Sequence, residues 1–244
     1  MDALVVLVHS PLVGPLTWTP VAEELGRLGA EVLVPPLTNR EGDEQPFWRQ
    51  HAEAVARTLV PVPDRRPLVL VGHSGAGPLL PAIAQAAWHP VAAYLFVDAG
   101  LPEAGQSRLD LMAPEDPEFA GQLREHLAIG GRFPTWSEDD LREVIPDARL
   151  RRGVVAEMCP RSQAFFAEPI PVFSGWPDAS CGYLRFSPAY AVPAQRAIAA
   201  GWVYRTIEAG HFHLLVDPTG VAQTLVDMMN DCGGGRDGRW GRST

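Results

Sequence analysis

Three cysteines in 244 residues, Cys159, Cys181 and Cys232, are too few, too scattered and odd in number to make a disulfide framework or a CxxC metal site. That usage suits a reducing compartment, and the thiols read as small side chains without a chemical role. Positive charge is scarce too: 20 Lys+Arg against 29 Asp+Glu leave a formal net charge of -9. Phosphate binding is driven by clustered cations, so no nucleic-acid partner is expected. Long apolar runs are also missing. No stretch approaches the ~20 apolar residues of a membrane helix. The first run, residues 3–8, lacks the length and the basic flank of a signal peptide. These absences lead to the expectation of a soluble, cytoplasmic protein without membrane association; they leave the oligomeric state open. No internal repeat is visible.

What is present reads as globular, with 46% hydrophobic and 20% charged residues. Length suits one domain with room for an insertion. Residues 3–8 form a continuous Val- and Leu-rich run, the pattern of a strand buried on both faces. Similar runs at 31–34, 68–71 and 92–97 alternate with helix-like stretches at 20–28, 48–59 and 79–88. Thr19 is the expected N-cap of the first, with Pro20 at its first position. This rhythm predicts parallel strands joined by right-handed crossovers. It lapses from Ser107 to about Glu168, where the chain is helical and polar and Asp116, Ser137 and Asp139 stand at expected helix starts. It resumes with strands at 182–186 and 203–207 and a last helix at 220–229. The expected class is α/β: a mostly parallel central sheet flanked by helices, with an inserted helical cap. Residues 1–103 and 170–230 would form the core, 104–169 the cap, and 231–244, rich in Gly and Arg, a flexible tail.

The segment Leu68-Val-Leu-Val-Gly-His-Ser-Gly-Ala-Gly77 carries the most chemistry. A buried strand ends near Gly72, a helix begins near Leu79, and Ser74 sits in the turn between them. Such an elbow needs small neighbours, because the serine backbone is strained and the helix comes close to the strand. It exposes the hydroxyl at the sheet's carboxyl edge and aims a helix N-terminus at a developing oxyanion. The match is G-x-S-x-A in place of G-x-S-x-G. An ordinary Gly-rich turn is the bland alternative, and a phosphate loop is another, although the P-loop lysine is missing. A base should come from another loop at the same edge. His211, after Gly210 between the last strand and the last helix, fits that role. His213 competes with it. His-x-His could also hold a metal, but no third ligand cluster accompanies it.

Taken together, His9 with Trp18, the Gly-His-Ser elbow, and Gly210-His211 followed by Asp217-Pro218 resemble the α/β-hydrolase superfamily. The resemblance covers residues 1 to about 100 and 180 to 230. It implies an oxyanion hole made by the residue after the nucleophile, Gly75, and by a backbone N–H just past the first strand. The usual His-Gly there is His9-Ser10, and Pro11 has no N–H. Leu12 is therefore the expected second donor, with His9 shaping the loop. The family's usual acid position, within Arg185 to Pro193, holds no acid. Either the triad is incomplete or the acid comes from elsewhere. Some members are similar in taking it from the strand after the nucleophile helix, which here ends in Asp98. Asp98 is the favoured acid and Asp178 the weaker alternative.

The expected function is cleavage of an ester or related acyl bond (thioester, lactone or amide) of a small, partly hydrophobic molecule, through Ser74, His211 and Asp98. No metal or organic cofactor is called for. Trp136, Phe133, Phe166 and Met112 of the cap are candidate substrate contacts, with packing as their bland role. Two alternatives stay open: a non-hydrolytic reaction on the same scaffold (lyase, acyl transfer or cyclisation), and a ligand-binding, receptor-like module with a vestigial triad.

Overall fold

Successive side chains of a strand point to opposite faces, so a strand that is apolar throughout needs cover on both. The computed structural model describes residues 3–63 and 65–233. Its strands are β1 (Leu4–Val8), β2 (Val32–Leu33), β3 (Leu68–Ser74), β4 (Val91–Ala99), β5 (Ser180–Arg185) and β6 (Val203–Thr206). They form one sheet in the order β2-β1-β3-β4-β5-β6, with every neighbouring pair parallel. The helices are α1 (Thr19–Arg27), α2 (Phe47–Leu59), α3 (Leu80–Ala87), α4 (Arg108–Met112), α5 (Pro117–Ala128), α6 (Ala148–Ala156), α7 (Gln163–Ala167), α8 (Ala191–Ala199), α9 (His213–Val216) and α10 (Pro218–Cys232).

Strand alternation divides the core in two. Val5, Leu7, Val69, Val71, Leu95 and Val97 pack toward Val21 and Leu25 of α1 and Leu225 and Met228 of α10. Leu4, Val6, Leu68, Leu70, Tyr94 and Phe96 pack toward Val55 and Leu59 of α2, Ile83 of α3 and Ala197 of α8. Fully burying one such Val, Leu or Phe contributes roughly 1.5–3 kcal/mol. Both faces are therefore fixed by sequence, and with them the edge at which all strands end.

Between β4 and β5 the chain holds α4 to α7 and, among the described residues, no strand beyond isolated bridges. A separate cluster of Leu109, Leu123, Leu127, Phe165 and Phe166 binds α4, α5 and α7 together, whereas Val154 of α6 joins the core on the α1 and α10 face of the sheet. Several expectations need correction. Thr19 is the first residue of α1, preceded by Trp18, and its hydroxyl donates to the Pro15 carbonyl instead of capping. Asp139 starts no helix. Ser137 and Asp140 bond reciprocally around a turn, and the next helix is capped by Asp147, which accepts the N–H groups of Arg149 and Leu150 at 2.8 Å. Asp116 does cap α5. Residues 231 and 232, expected in the flexible tail, belong to α10, and residues 234–244 of that tail lie outside the described residues.

Candidate active site

All the strands of a parallel sheet end at one edge, where open α/β sheets hold their ligands. Neighbouring β3 and β4 run further than the sequence suggested, and each carries a strained residue at that edge: Ser74, the last of β3, at φ 58°, and Asp98, one before the end of β4, at φ 42°. A non-glycine side chain in this left-handed region costs about 1–3 kcal/mol and persists only where its surroundings over-determine it. At Ser74 the surroundings are close. A Cβ on Gly77 would lie 2.1 Å from the Gly100 carbonyl oxygen, and one on Gly72 3.1 Å from Leu80 Cδ2. The glycines let α3 and its leading turn pack against the strand ends.

Asp98 is fully buried and fully bonded. Its Oδ1 accepts the N–H groups of Phe186 and Ser187, both at 2.9 Å. Its Oδ2 accepts the Ser187 hydroxyl and His211 Nδ1, both at 2.7 Å. Burial alone would raise this carboxyl, but the bond and charge of His211 and the two N–H groups outweigh it and hold Asp98 below its usual range. A carboxylate only accepts, so His211 Nδ1 carries a proton, and in the neutral ring Nε2 presents a lone pair. Asp178, the alternative acid, is spent elsewhere, accepting the Tyr94 hydroxyl at 2.8 Å. His213 packs edge-on against Phe186.

The His211 ring is stacked between His73 (4.5 Å, 26°) and Tyr190 (5.1 Å, 13°). Burial, followed by the nearby His211, pushes His73 down to about 3, so it is neutral. Its Nε2 donates to the His211 carbonyl at 3.1 Å. In this state Ser74 Oγ makes no hydrogen bond to His211; among the described residues its partner is Tyr190 Oη at 3.2 Å. Catalytic hydrogen bonds are often open in unliganded sites.

The loops that carry the two expected oxyanion donors lie against each other. A Cβ on Gly75 would sit 3.3 Å from Ser10 Oγ and 3.7 Å from Pro11 Cδ, so the first-strand loop closes directly over it. Among the described residues the Leu12 N–H has only a long 3.4 Å contact with Ser10 Oγ. His9 shapes this loop: Nδ1 donates to the Ser10 carbonyl at 2.8 Å, and Nε2 accepts the Leu37 N–H at 3.2 Å. From the far side, Arg161 grips the Pro11 carbonyl.

Ser74, Gly75 and Leu12 line one cavity of about 60 Å³ with Met112, Phe166 and Tyr190. A water needs about 10–15 Å³ on such a measure, so the space suits a short chain or small ring. Of the four expected cap contacts, Met112 and Phe166 reach it. Phe133 and Trp136 do not. Phe133 is held by a backbone bridge to Arg161 and packs behind Phe166, and Trp136 packs edge-on against Phe212. Arg108 and Glu115 also line the cavity. Burial lowers Arg108 to about 10, Glu168 accepts from it at 3.0 Å, and burial raises Glu115 to about 7. Sequence reasoning missed Ser187, Tyr190 and Arg161. The first two lie in the loop flagged for its missing acid, where hydroxyls in its place were the only signal. Arg161 carried none, because its contact spans 150 positions of chain. Among the described residues no three His, Cys, Asp or Glu side chains gather as a metal site, and no helix is long and apolar enough to cross a membrane.

The model of the alpha/beta hydrolase family matches residues 5–224. The chain belongs to that family. No curated protein matches the sequence. Among solved structures, this α/β-hydrolase is similar to an extracellular alpha/beta-hydrolase from a Paenibacillus species, with 18% identity, TM-score 0.70, and 95% of this chain and 99% of that one covered. It is also similar to a pyrethroid hydrolase from Sphingobium faniae JZ-2 (18% identity, TM-score 0.66, 93% and 97% covered). Tomato methylketone synthase I is a third, at 12% identity and TM-score 0.67, with 95% and 99% covered. At these identities the likeness is one of fold.

Proposed function

We propose that this α/β-hydrolase cleaves an ester or related acyl bond (thioester, lactone or amide) of a small, partly hydrophobic molecule. The observation that carries the reading is the buried Asp98 carboxylate bonded at 2.7 Å to His211 Nδ1, beside a serine strained at φ 58°. His211 Nε2 takes the Ser74 proton as Oγ attacks the carbonyl carbon. The N–H groups of Gly75 and Leu12 receive the oxyanion. The imidazolium then returns its proton to the departing oxygen, nitrogen or sulfur. Water, deprotonated by His211, releases the acid from Ser74. Residues 104–169 act as the cap that bounds the substrate, through Met112 and Phe166. The three free cysteines suit the cytoplasm.

A fluorophosphonate probe tests this directly. Stoichiometric labelling of Ser74 and turnover of short acyl esters are expected, both abolished in Ser74→Ala. Folded protein that stays unlabelled would sink the reading and favour a ligand-binding module. The Ser10-Pro11 departure in the oxyanion loop favours one second reading, a lyase, acyl transfer or cyclisation through the same residues. Product analysis separates it, since only hydrolysis yields the free acid.

A further inference from the structure

The loop after β5 lacks an acid, yet it touches both ends of the site. Ser187 bonds Asp98, and three residues on Tyr190 brings its hydroxyl to 3.2 Å from Ser74 Oγ. The Tyr190 ring lies flat against His211, and the residue lines the cavity that Ser74 opens into. The directions of the hydrogen bonds can be worked out from the buried end. Asp98 accepts from His211 Nδ1, which leaves Nε2 as an acceptor. When Ser74 turns its one proton to Nε2, its oxygen can bond Tyr190 only by accepting. The phenolic proton is what remains to fill that bond.

Resting on the acyl-hydrolysis reading, we propose that Tyr190 is a further catalytic residue, whose O–H donates to Ser74 Oγ and stabilises the charge that gathers there. As the Oγ–carbon bond forms, the carbonyl π pair moves to the oxyanion and the serine proton moves to His211 Nε2. The phenolic proton stays on Tyr190 throughout, so its contribution is a hydrogen bond and not a proton transfer. When the acyl-enzyme breaks down, the same donor meets Oγ as it regains negative charge. Burial raises the Tyr190 phenol above its ordinary value, so it remains a donor over the working pH range. The ring has a separate job, which is to hold the imidazole plane against His73.

These two jobs separate by substitution. Tyr190→Phe keeps the ring and removes the donor. It is expected to lower kcat and the rate of fluorophosphonate labelling about 10–100-fold, with KM within about threefold and full final labelling. Tyr190→Leu removes both and should fall further. Wild-type rates in Tyr190→Phe, or faster ones, would overturn the proposal; faster labelling would mean that the phenol withholds the nucleophile. Failure of the wild-type protein to label or turn over esters would instead defeat the hydrolase reading itself. If Tyr190→Phe folds poorly by thermal melt, trifluorotyrosine at position 190 keeps the shape and lowers the phenol pKa. The alkaline limb of kcat/KM should then move to lower pH, and an unmoved limb would count against the donor.

Discussion

Arg161 donates twice to the carbonyl oxygen of Pro11, from Nε at 3.0 Å and from Nη2 at 2.8 Å. That carbonyl and the N–H of Leu12 belong to one trans peptide plane and point in opposite directions. Gripping the oxygen fixes that plane, and with it the direction of the N–H, and the guanidinium charge polarises it. Arg161 is thus a positioning residue for the proposed oxyanion donor. Its own place is fixed by burial and by the Asn39 side chain. Arg161→Lys keeps the charge but loses the fork, and Arg161→Met loses both. A kcat loss of about 10-fold and about 100-fold respectively is expected, with parallel weakening of a boronate transition-state analogue and little change in KM. A loss confined to KM would assign Arg161 to ground-state binding.

Asp98→Asn tests the acid. The amide can no longer enforce the Nδ1–H tautomer, and kcat should fall by about 10⁴ while substrate binding persists. The substitution also has a pH signature in stability. Because the folded carboxyl lies below the unfolded value near ~3.9, its contribution is complete above that value and fades as pH falls through the folded one. The stability gap between wild type and Asp98→Asn in urea melts should therefore narrow below about pH 4. Near-wild-type turnover would remove Asp98 from the triad.

How far the sequence revealed this site depended on whether each signal was local. Buried strands announced themselves as continuous apolar runs, and the elbow announced itself through small residues around Ser74. Asp98 came from the empty usual acid position and from the resemblance to members that take their acid from the strand after the nucleophile helix; that strand pairs beside β3. Leu12 followed from proline's missing N–H. Tyr190 and Ser187 were not legible, because the sequence shows a loop without an acid but not where its hydroxyls reach. Phe133 and Trp136 lie away from the cavity wall, because an aromatic residue in a cap has two faces to serve and periodicity does not say which one meets the cavity.

Three buried histidines predict unusual acid sensitivity. Burial pushes His9 down to about 4 and His73 to about 3, and holds His51 well below its ordinary value. All three are neutral when folded and take up protons near ~6.5 when unfolded. Their stabilising contribution is therefore complete above that value and declines as pH falls toward the folded values. Each proton contributes a slope of ~1.4 kcal/mol per pH unit, so together they give up to ~4 kcal/mol per unit in that window. Urea melts at pH 7.5, 6.0 and 5.0 should show this decline, and His73→Phe should make it shallower by about one proton. Constant stability down to pH 5 would contradict it.

Gly77 and Gly121 should respond to alanine in opposite ways. At Gly77 the new Cβ would meet a backbone oxygen, that of Gly100, at 2.1 Å, which no side-chain rotation relieves. Gly77→Ala should lower stability by about 1–3 kcal/mol or more and disturb the Ser74 elbow. Gly121 lies inside α5, and a Cβ added there would meet nothing within 4 Å. Gly121→Ala should raise stability by about 0.5–1 kcal/mol through helix propensity. Thermal melts of the pair, with labelling of Ser74 as a second readout, separate elbow geometry from general tolerance.

Phe166 sets the proposed limit on the acyl group. It is fully buried, stands edge-on to Phe165 at 5.1 Å, and forms cavity wall near Ser74. Phe166→Ala should cost about 3–5 kcal/mol of stability, so Phe166→Leu serves as the milder variant. Either substitution opens space where a chain of methylenes can be buried, each worth about 0.8 kcal/mol. The ratio of kcat/KM for hexanoyl over acetyl esters should therefore rise by about 10-fold or more in Phe166→Ala and by less in Phe166→Leu. If stability falls while that ratio stays at the wild-type value, the acyl chain does not extend toward Phe166. The wall that selects it would then lie on the Leu111 and Met112 side of the same cavity.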